Sequence, residues 1–203
     1  LILPKSDALP RVPHVEILRA ALKRRGKKFA DLAKEPVAAD LPHGALAAWV
    51  MVDAAQSPFQ QQTAVRKGLQ LLMAEKPEEI AIGVFGNSGQ RRHAAELAVY
   101  AAWINGARLP QRKKKSDEKM LRRVRLHGHR EGDGFATLRA QAAGNTLCRE
   151  LTVLPPNELT PGAYRERVKK LAKKYGWERE EYDLKKLRKM GAGAFVAVAQ
   201  GSA

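Results

Sequence analysis

Two short apolar runs, Leu46 to Val52 and Ile80 to Phe85, are bounded by turn residues, the pattern of strands covered on both faces. Between them Ala64, Val65, Gly68, Leu69, Leu72 and Met73 recur at helical spacing. Strand, helix and strand in that order predict a parallel sheet over residues 40 to 110, with helices crossing between its strands. Gly86, Asn87, Ser88 and Gly89 follow the second strand, and Arg92 to Ile104 is apolar on nearly all sides, a buried helix with Asn105 and Gly106 as its stop. Farther on, Leu121 to His129 alternates, with Val124 and Leu126 on one face and Arg123, Arg125, His127 and His129 on the other, a half-exposed strand.

Phe135, Leu138, Ala142, Leu147, Leu151 and Leu154 line one stripe of a long helix that Pro155 and Pro156 terminate. This helix is expected to connect two domains. Thr160 and Pro161 form a helix start, Tyr164, Val168, Leu171 and Tyr175 mark its apolar face, and Gly176 closes it. Trp177 to Tyr182 reads as a strand, Leu184 to Met190 as a short helix and Phe195 to Ala199 as a buried strand, the opening of a second α/β unit. The chain of 203 residues starts without Met and stops straight after an apolar run, so both ends read as cut.

Composition narrows the class. With 44% hydrophobic and 29% charged residues, the chain is of ordinary globular make-up, and its apolar stretches are too short to span a membrane. No signal-peptide pattern opens it. One cysteine, Cys148, excludes an internal disulfide and a four-cysteine zinc site, so a reducing cytoplasm is the default compartment. The net charge of +16 favours polyanions or an acidic partner subunit.

That charge is concentrated. Residues 111 to 130 hold nine basic side chains against two acidic ones, and the helix from Pro161 to Tyr175 displays Arg165, Arg167, Lys169, Lys170, Lys173 and Lys174. Lys113, Lys114, Lys115, Arg122, Arg123 and Arg125 are the candidate nucleic-acid contacts, against a solvated or subunit-facing surface as the plainer reading. Neither segment interleaves aromatic residues with its basic ones, which gives stacking on single strands no support. The FGNSGQRR turn at Phe85 to Arg92 could present N–H groups to an anion, but it lacks a Walker lysine and reads better as a tight strand-to-helix turn. His127 and His129 suggest a metal pair, yet Arg123 and Arg125 share their face and oppose a cation. A macro-like domain binding a ligand through Gly86 to Gly89 is a third reading, resting on fold analogy.

Two motifs carry a resemblance. Gly144 to Pro161, GNTLCRELTVLPPNELTP, resembles the stretch joining the two domains of the leucine (cytosol) aminopeptidases, and Gly191 to Ser202, GAGAFVAVAQGS, is similar to that family's Gly-rich turn and first strand pair. The matching residues are Pro155, Pro156, Asn157, Thr160, Pro161, Gly191, Gly193 and Gly201. The resemblance implies an α/β chain in three parts: a macro-domain-like amino-terminal domain with a mostly parallel sheet (1–134), a connector (135–157) and the truncated start of a catalytic domain (158–203). It implies a cytoplasmic parent enzyme that removes amino-terminal residues from peptides with two divalent ions, Zn or Mn, and that assembles as a hexamer. Some bacterial members also bind DNA.

The family's metal-binding motifs, Lys-Gly followed by Asp-Ser/Thr-Gly-Gly, and Asn-Thr-Asp-Ala-Glu-Gly-Arg, do not occur here. Asn145-Thr146 is followed by Leu147. No catalytic or metal-binding residue is therefore assigned, no metal is expected on this chain, and the chain alone is expected to be inactive and to serve assembly or regulation. Its densest late acids, Glu178, Glu180 and Asp183, are crowded by Arg179, Lys185 and Lys186. The alternative function is a basic α/β module that binds DNA or a partner subunit.

Overall fold

The computed structural model describes residues 1–6, 11–112 and 120–200. Two compact units form, Leu1–Val153 and Leu154–Ala203.

The first unit is built on strands β1 (Ile2–Pro4), β2 (Val37–Asp40), β3 (Leu46–Val52), β4 (Glu79–Gly83) and β5 (Arg123–His127). β3 pairs parallel with β1 and antiparallel with β2, and β4 pairs parallel with β5. A parallel bridge from Ile2 to Val84 joins the two ladders, and Phe85 N donates to Ile2 O at 3.1 Å. The spatial order is therefore β5, β4, β1, β3, β2. β3 and β4 run parallel with β1 between them, as the apolar runs predict, and the antiparallel β2 borders β3 on its far side.

Alternation along the strands divides the interior in two. Ile2, Val50, Val52, Ile80, Ile82 and Val84 point to one face, where α2 (Pro58–Met73) and α3 (Ser88–Gly106) supply Ala64, Val65, Leu69, Ala95, Ala98 and Ala102. Leu3, Trp49 and Met51 point to the other, against Leu18 and Leu22 of α1 (Val15–Arg24) and against Phe29 and Leu32 of a short 3-10 turn, Phe29–Ala33. Gly68 lets α2 lie close on β3: a Cβ there would stand 2.1 Å from Val50 Cγ2.

Coverage of both faces holds for β3 but not for β4. In β4 only Ile80 and Ile82 are buried, while Glu79 and Ala81 are exposed. α1 and the 3-10 turn cover the β1–β3–β2 side of the sheet, so the second face of β4 has no layer over it. In β5, Val124 and Leu126 pack on the core and Arg123, Arg125 and His127 are exposed, the predicted half-exposed strand with shorter limits.

The long helix predicted ahead of Pro155 forms as α4 (Ala136–Thr152) and packs on α3. Asn145 Nδ2 donates to the Tyr100 hydroxyl at 3.4 Å, Arg149 donates to Ile104 O, and the Arg139 guanidinium lies 5.1 Å from the Trp103 ring centre.

The second unit holds α5 (Pro161–Tyr175), α6 (Leu184–Lys189) and α7 (Gly193–Ala199). α5 has the predicted limits and cap: Thr160 Oγ1 accepts from Ala163 N at 3.2 Å, with Pro161 in the first turn. Two strand readings are corrected. Trp177 to Tyr182 has no strand assignment, and Phe195 to Ala199 belongs to α7 instead of a strand. An apolar run of this length fits either period. A strand also needs a partner to satisfy its N–H groups, and none pairs among the described residues of this unit. The backbone closes locally instead, with Val196 N on Ala192 O and Gln200 N on Val196 O, each at 3.1 Å. The expected first strand pair at Gly191 to Ser202 is likewise not formed among its described residues.

Candidate functional site

The basic stretch is partly neutralised where it becomes strand. β4 and β5 pair in register at Glu79 and Arg123, which brings the Glu79 carboxylate to Arg123 Nη1 at 3.1 Å and to Arg125 Nε at 2.6 Å. Arg122 Nη1 reaches Glu78 at 3.9 Å. These three candidate nucleic-acid contacts thus carry carboxylate partners. Lys113, Lys114 and Lys115 lie outside the described residues.

In an open α/β sheet the expected ligand position is the crevice at the carboxyl ends of the strands, where successive connections leave in opposite directions. Here that point falls between β1 and β4, and an ion pair stands next to it at the ends of β1 and β3. Lys5 Nζ and Asp53 Oδ2 pair at 2.7 Å, and Asp53 Oδ1 accepts from Ala55 N at 3.0 Å. The Lys5 hydrogen bond first, and the Ala55 N–H second, hold the Asp53 carboxyl below its ordinary range. Gly86 turns the chain at φ 110°, and a Cβ on it would meet Gln90 Oε1 at 2.5 Å and Pro4 Cγ at 3.1 Å.

Both adjoining helices cap themselves. Asn87 Oδ1 accepts from Gln90 N while Asn87 N donates to Gln90 Oε1, each at 2.9 Å. Ser57 and Gln60 do the same at the start of α2. Two of the donors at this helix start, Asn87 N and Gln90 N, are thus engaged within the chain, as in a tight strand-to-helix turn.

The histidine pair does not share a face. β5 ends at His127, and the chain turns at Gly128, so that His129 leaves the strand and places Nε2 3.2 Å from Glu131 Oε2. Arg92 Nε stands 3.7 Å from the same oxygen and 3.1 Å from Glu96 Oε1. Arg92, Glu96, Glu131, Asp133 and Phe135 line a cleft of about 260 Å³. Arg92 supplies the countercharge there. No three His, Cys, Asp or Glu side chains converge in a metal-holding group among the described residues.

Two of the late acids are also engaged. Glu180 pairs with Lys186 at 3.1 Å, and its carboxyl is held below the ordinary range by the Tyr182 hydroxyl and then by Lys186. Asp183 caps α6, accepting from Lys186 N at 2.7 Å. The expectation that Glu178 and Glu180 share a strand face fails with the strand itself. The described residues do not fit a two-metal centre, which needs several carboxylates converging on adjacent ions.

The joining motif has a defined geometry. Pro155 O accepts from Glu158 N at 2.9 Å and from Leu159 N at 3.0 Å, a turn that delivers the chain to the Thr160 cap. Residues 146–203, which contain this turn, match the cytosol aminopeptidase family, catalytic domain. The likeness is to the cytosol aminopeptidases.

A probable cytosol aminopeptidase from Prochlorococcus marinus is 47% identical over 60 residues, covering 30% of this chain and 12% of that protein. The cytosol aminopeptidase of Pseudomonas aeruginosa is 34% identical over 131 residues, covering 61% of this chain and 26% of that protein. The chain thus matches a minor part of the length of these aminopeptidases. Among solved structures, a tomato leucine aminopeptidase variant aligns with TM-score 0.66 at 17% identity over 86% of this chain and 40% of that one. The bottromycin maturation enzyme BotP aligns with TM-score 0.61 at 18% identity over 87% of this chain and 38% of that one. Both likenesses show the α/β fold. Among the described residues no helix is long and apolar enough to cross a membrane.

Proposed function

We propose that this chain belongs to a metal-dependent aminopeptidase of the cytoplasm, which releases amino-terminal residues from peptides using two divalent ions, Zn or Mn. In that reading residues 1–134 are the amino-terminal domain, 135–157 the connector and 158–203 the opening of the catalytic domain. The chain's part is assembly, as a hexamer, or regulation. The observation that carries the reading is the catalytic-domain match over 146–203, which begins inside α4 and takes in the Pro155 turn and the Thr160 cap.

The donor set decides what this stretch does chemically. His129 and Glu131 are joined to each other, Glu131 and Glu96 face Arg92, and Asp183 and Glu180 serve a helix cap and a lysine. Purified chain supplied with Zn²⁺ or Mn²⁺ is therefore expected to leave leucine p-nitroanilide intact, whereas the parent protein hydrolyses it and loses that activity to a chelator. Turnover by the chain at the parent's rate would overturn the assigned role of these residues. A parent indifferent to chelation would overturn the enzyme reading.

A further inference from the structure

The sheet of the first unit has a gap ahead of β1. β1 pairs with β3 over Val50–Val52 and touches β4 at the bridge from Ile2 to Val84, while β3 reaches back to Leu46 and β4 to Glu79. A cleft of about 630 Å³ lies there, lined from both faces of the sheet, by Pro13 and His14 beside α1 and by Leu72 and Glu75 beside α2. An opening reached from both faces lies within the sheet itself.

The walls of this gap are backbone edges. Leu1 N donates to Ala48 O at 2.8 Å and Val50 N to Leu1 O at 3.0 Å, so Ala48 and, two residues back, Leu46 turn their peptide groups toward the gap. On β4, Phe85 N donates to Ile2 O at 3.1 Å and Val84 N to His127 O at 3.0 Å, which leaves Gly83, Ala81 and Glu79 facing the gap and Ile80 and Ile82 facing β5. Strands stand about 4.8 Å apart, so the place of one strand between two walls is about 10 Å wide. A small apolar ligand would leave these peptide groups unpaired, whereas an extended chain pairs them on both sides.

We infer that the gap is the bed of about four further residues of β1, running ahead of Leu1 parallel to both walls. Ile2, which stands beside Val50 and Val84, fixes the register. The first residue ahead of Leu1 then lies between Ala48 and Ile82, the second between Ala47 and Ala81, and the third between Leu46 and Ile80. Alternation puts the first and third on the face of Ile2, where a space of about 40 Å³ is lined by Ala48, Leu72 and Ile80 among others, so both are apolar. Asp40 and Glu75 line the cleft without an ion pair among the described residues, which suits a lysine or arginine where the strand enters. The strand is independent of peptide hydrolysis, so its failure would leave the enzyme reading untouched.

The test compares three forms of the full chain by hydrogen exchange, read by NMR, and by thermal unfolding: the chain as it stands, the chain with Lys-Val-Thr-Val placed directly ahead of Leu1, and the chain with Lys-Asp-Thr-Asp there. The apolar extension is expected to slow exchange at the Ala48 and Ala81 amides by at least about 10-fold and to raise the Tm by about 5 °C, and the aspartate extension to do neither. Exchange at these two amides reports strand pairing directly, so it decides the matter even where the Tm does not move. Unchanged exchange at both amides in the apolar extension, equal effects of the two extensions, or slowing confined to amides outside β3 and β4 would overturn the proposal.

Discussion

The two units draw on different sources of order. In Leu1–Val153 the β1–β3–β2 part of the sheet carries a buried layer on each face, and Trp49, Leu3, Leu18, Leu32, Met51 and Val37 are fully enclosed. In Leu154–Ala203 Ala172 alone is buried among the described residues, while Tyr164, Trp177, Met190, Phe195 and Val198 stand exposed. One unit is held by contacts between distant residues, the other by caps and turns that each residue makes with near neighbours. Stability should therefore be global in the first and local in the second.

The sharpest way to break this contrast is to remove one large ring from each unit. Trp49→Ala should cost about 3–5 kcal/mol in urea unfolding of the first unit, as expected for emptying an enclosed aromatic site. Trp177→Ala should leave that transition within about 0.5 kcal/mol, as surface changes do. Equal shifts from both substitutions would mean that the units unfold as one.

A smaller effect tests whether the second unit rests on its caps. Thr160→Ala removes the acceptor of Ala163 N and should destabilise α5 by about 1 kcal/mol. Hydrogen exchange should show faster exchange in the first turns of α5 with the β3 amides unchanged. Slowed or unaltered exchange in α5 would show that packing, not the cap, holds it.

The smallest effect concerns the ion pair at the end of β1. Lys5 holds the Asp53 carboxyl below its ordinary range in the folded chain. The stabilisation is therefore present above an unfolded value of ~3.9 and is lost as pH falls through the lower folded value. Acid titration of stability should show this loss, and Asp53→Asn should remove it from the profile. An identical acid limb in the variant would assign the acid sensitivity to other carboxylates.

The same contrast explains what could be read from the sequence. α2, α3, α4 and α5 were legible because stripes, Thr160, Pro161 and the Pro155-Pro156 stop act over a few residues. β3 and β4 were legible as apolar runs. β1 has three residues and β2 has the sequence VAAD, too short and too small in side chain to announce strands. Their partners in β3 define them. α1 did offer a signal, with Leu18, Ala21 and Leu22 on one side of VEILRAALKR. The strands expected at Trp177 and Phe195 failed for the reason β1 succeeded: pairing is decided by a neighbouring chain segment, not by the run itself.

At the candidate site, the charge of residues 111 to 130 was legible, but not its neutralisation, because Glu78 and Glu79 meet Arg122, Arg123 and Arg125 through the β4–β5 register. The stacking of Trp177 on Tyr175 was not legible either, because it depends on a backward hydrogen bond, from Trp177 N to Ala172 O.

The position of β1 between β3 and β4 also has a consequence for how the protein is made. Ile2 leaves the ribosome ahead of both its neighbours, yet its contact with Val84 requires everything up to that residue to have emerged. At about 5–20 residues per second, the stretch from Val52 to Val84 takes roughly 2–6 s, in which an apolar strand already able to pair with β3 waits without its second partner. During that interval the nascent segment is a target for chaperones, and the speed at which codons 52 to 84 are translated governs how long it needs one.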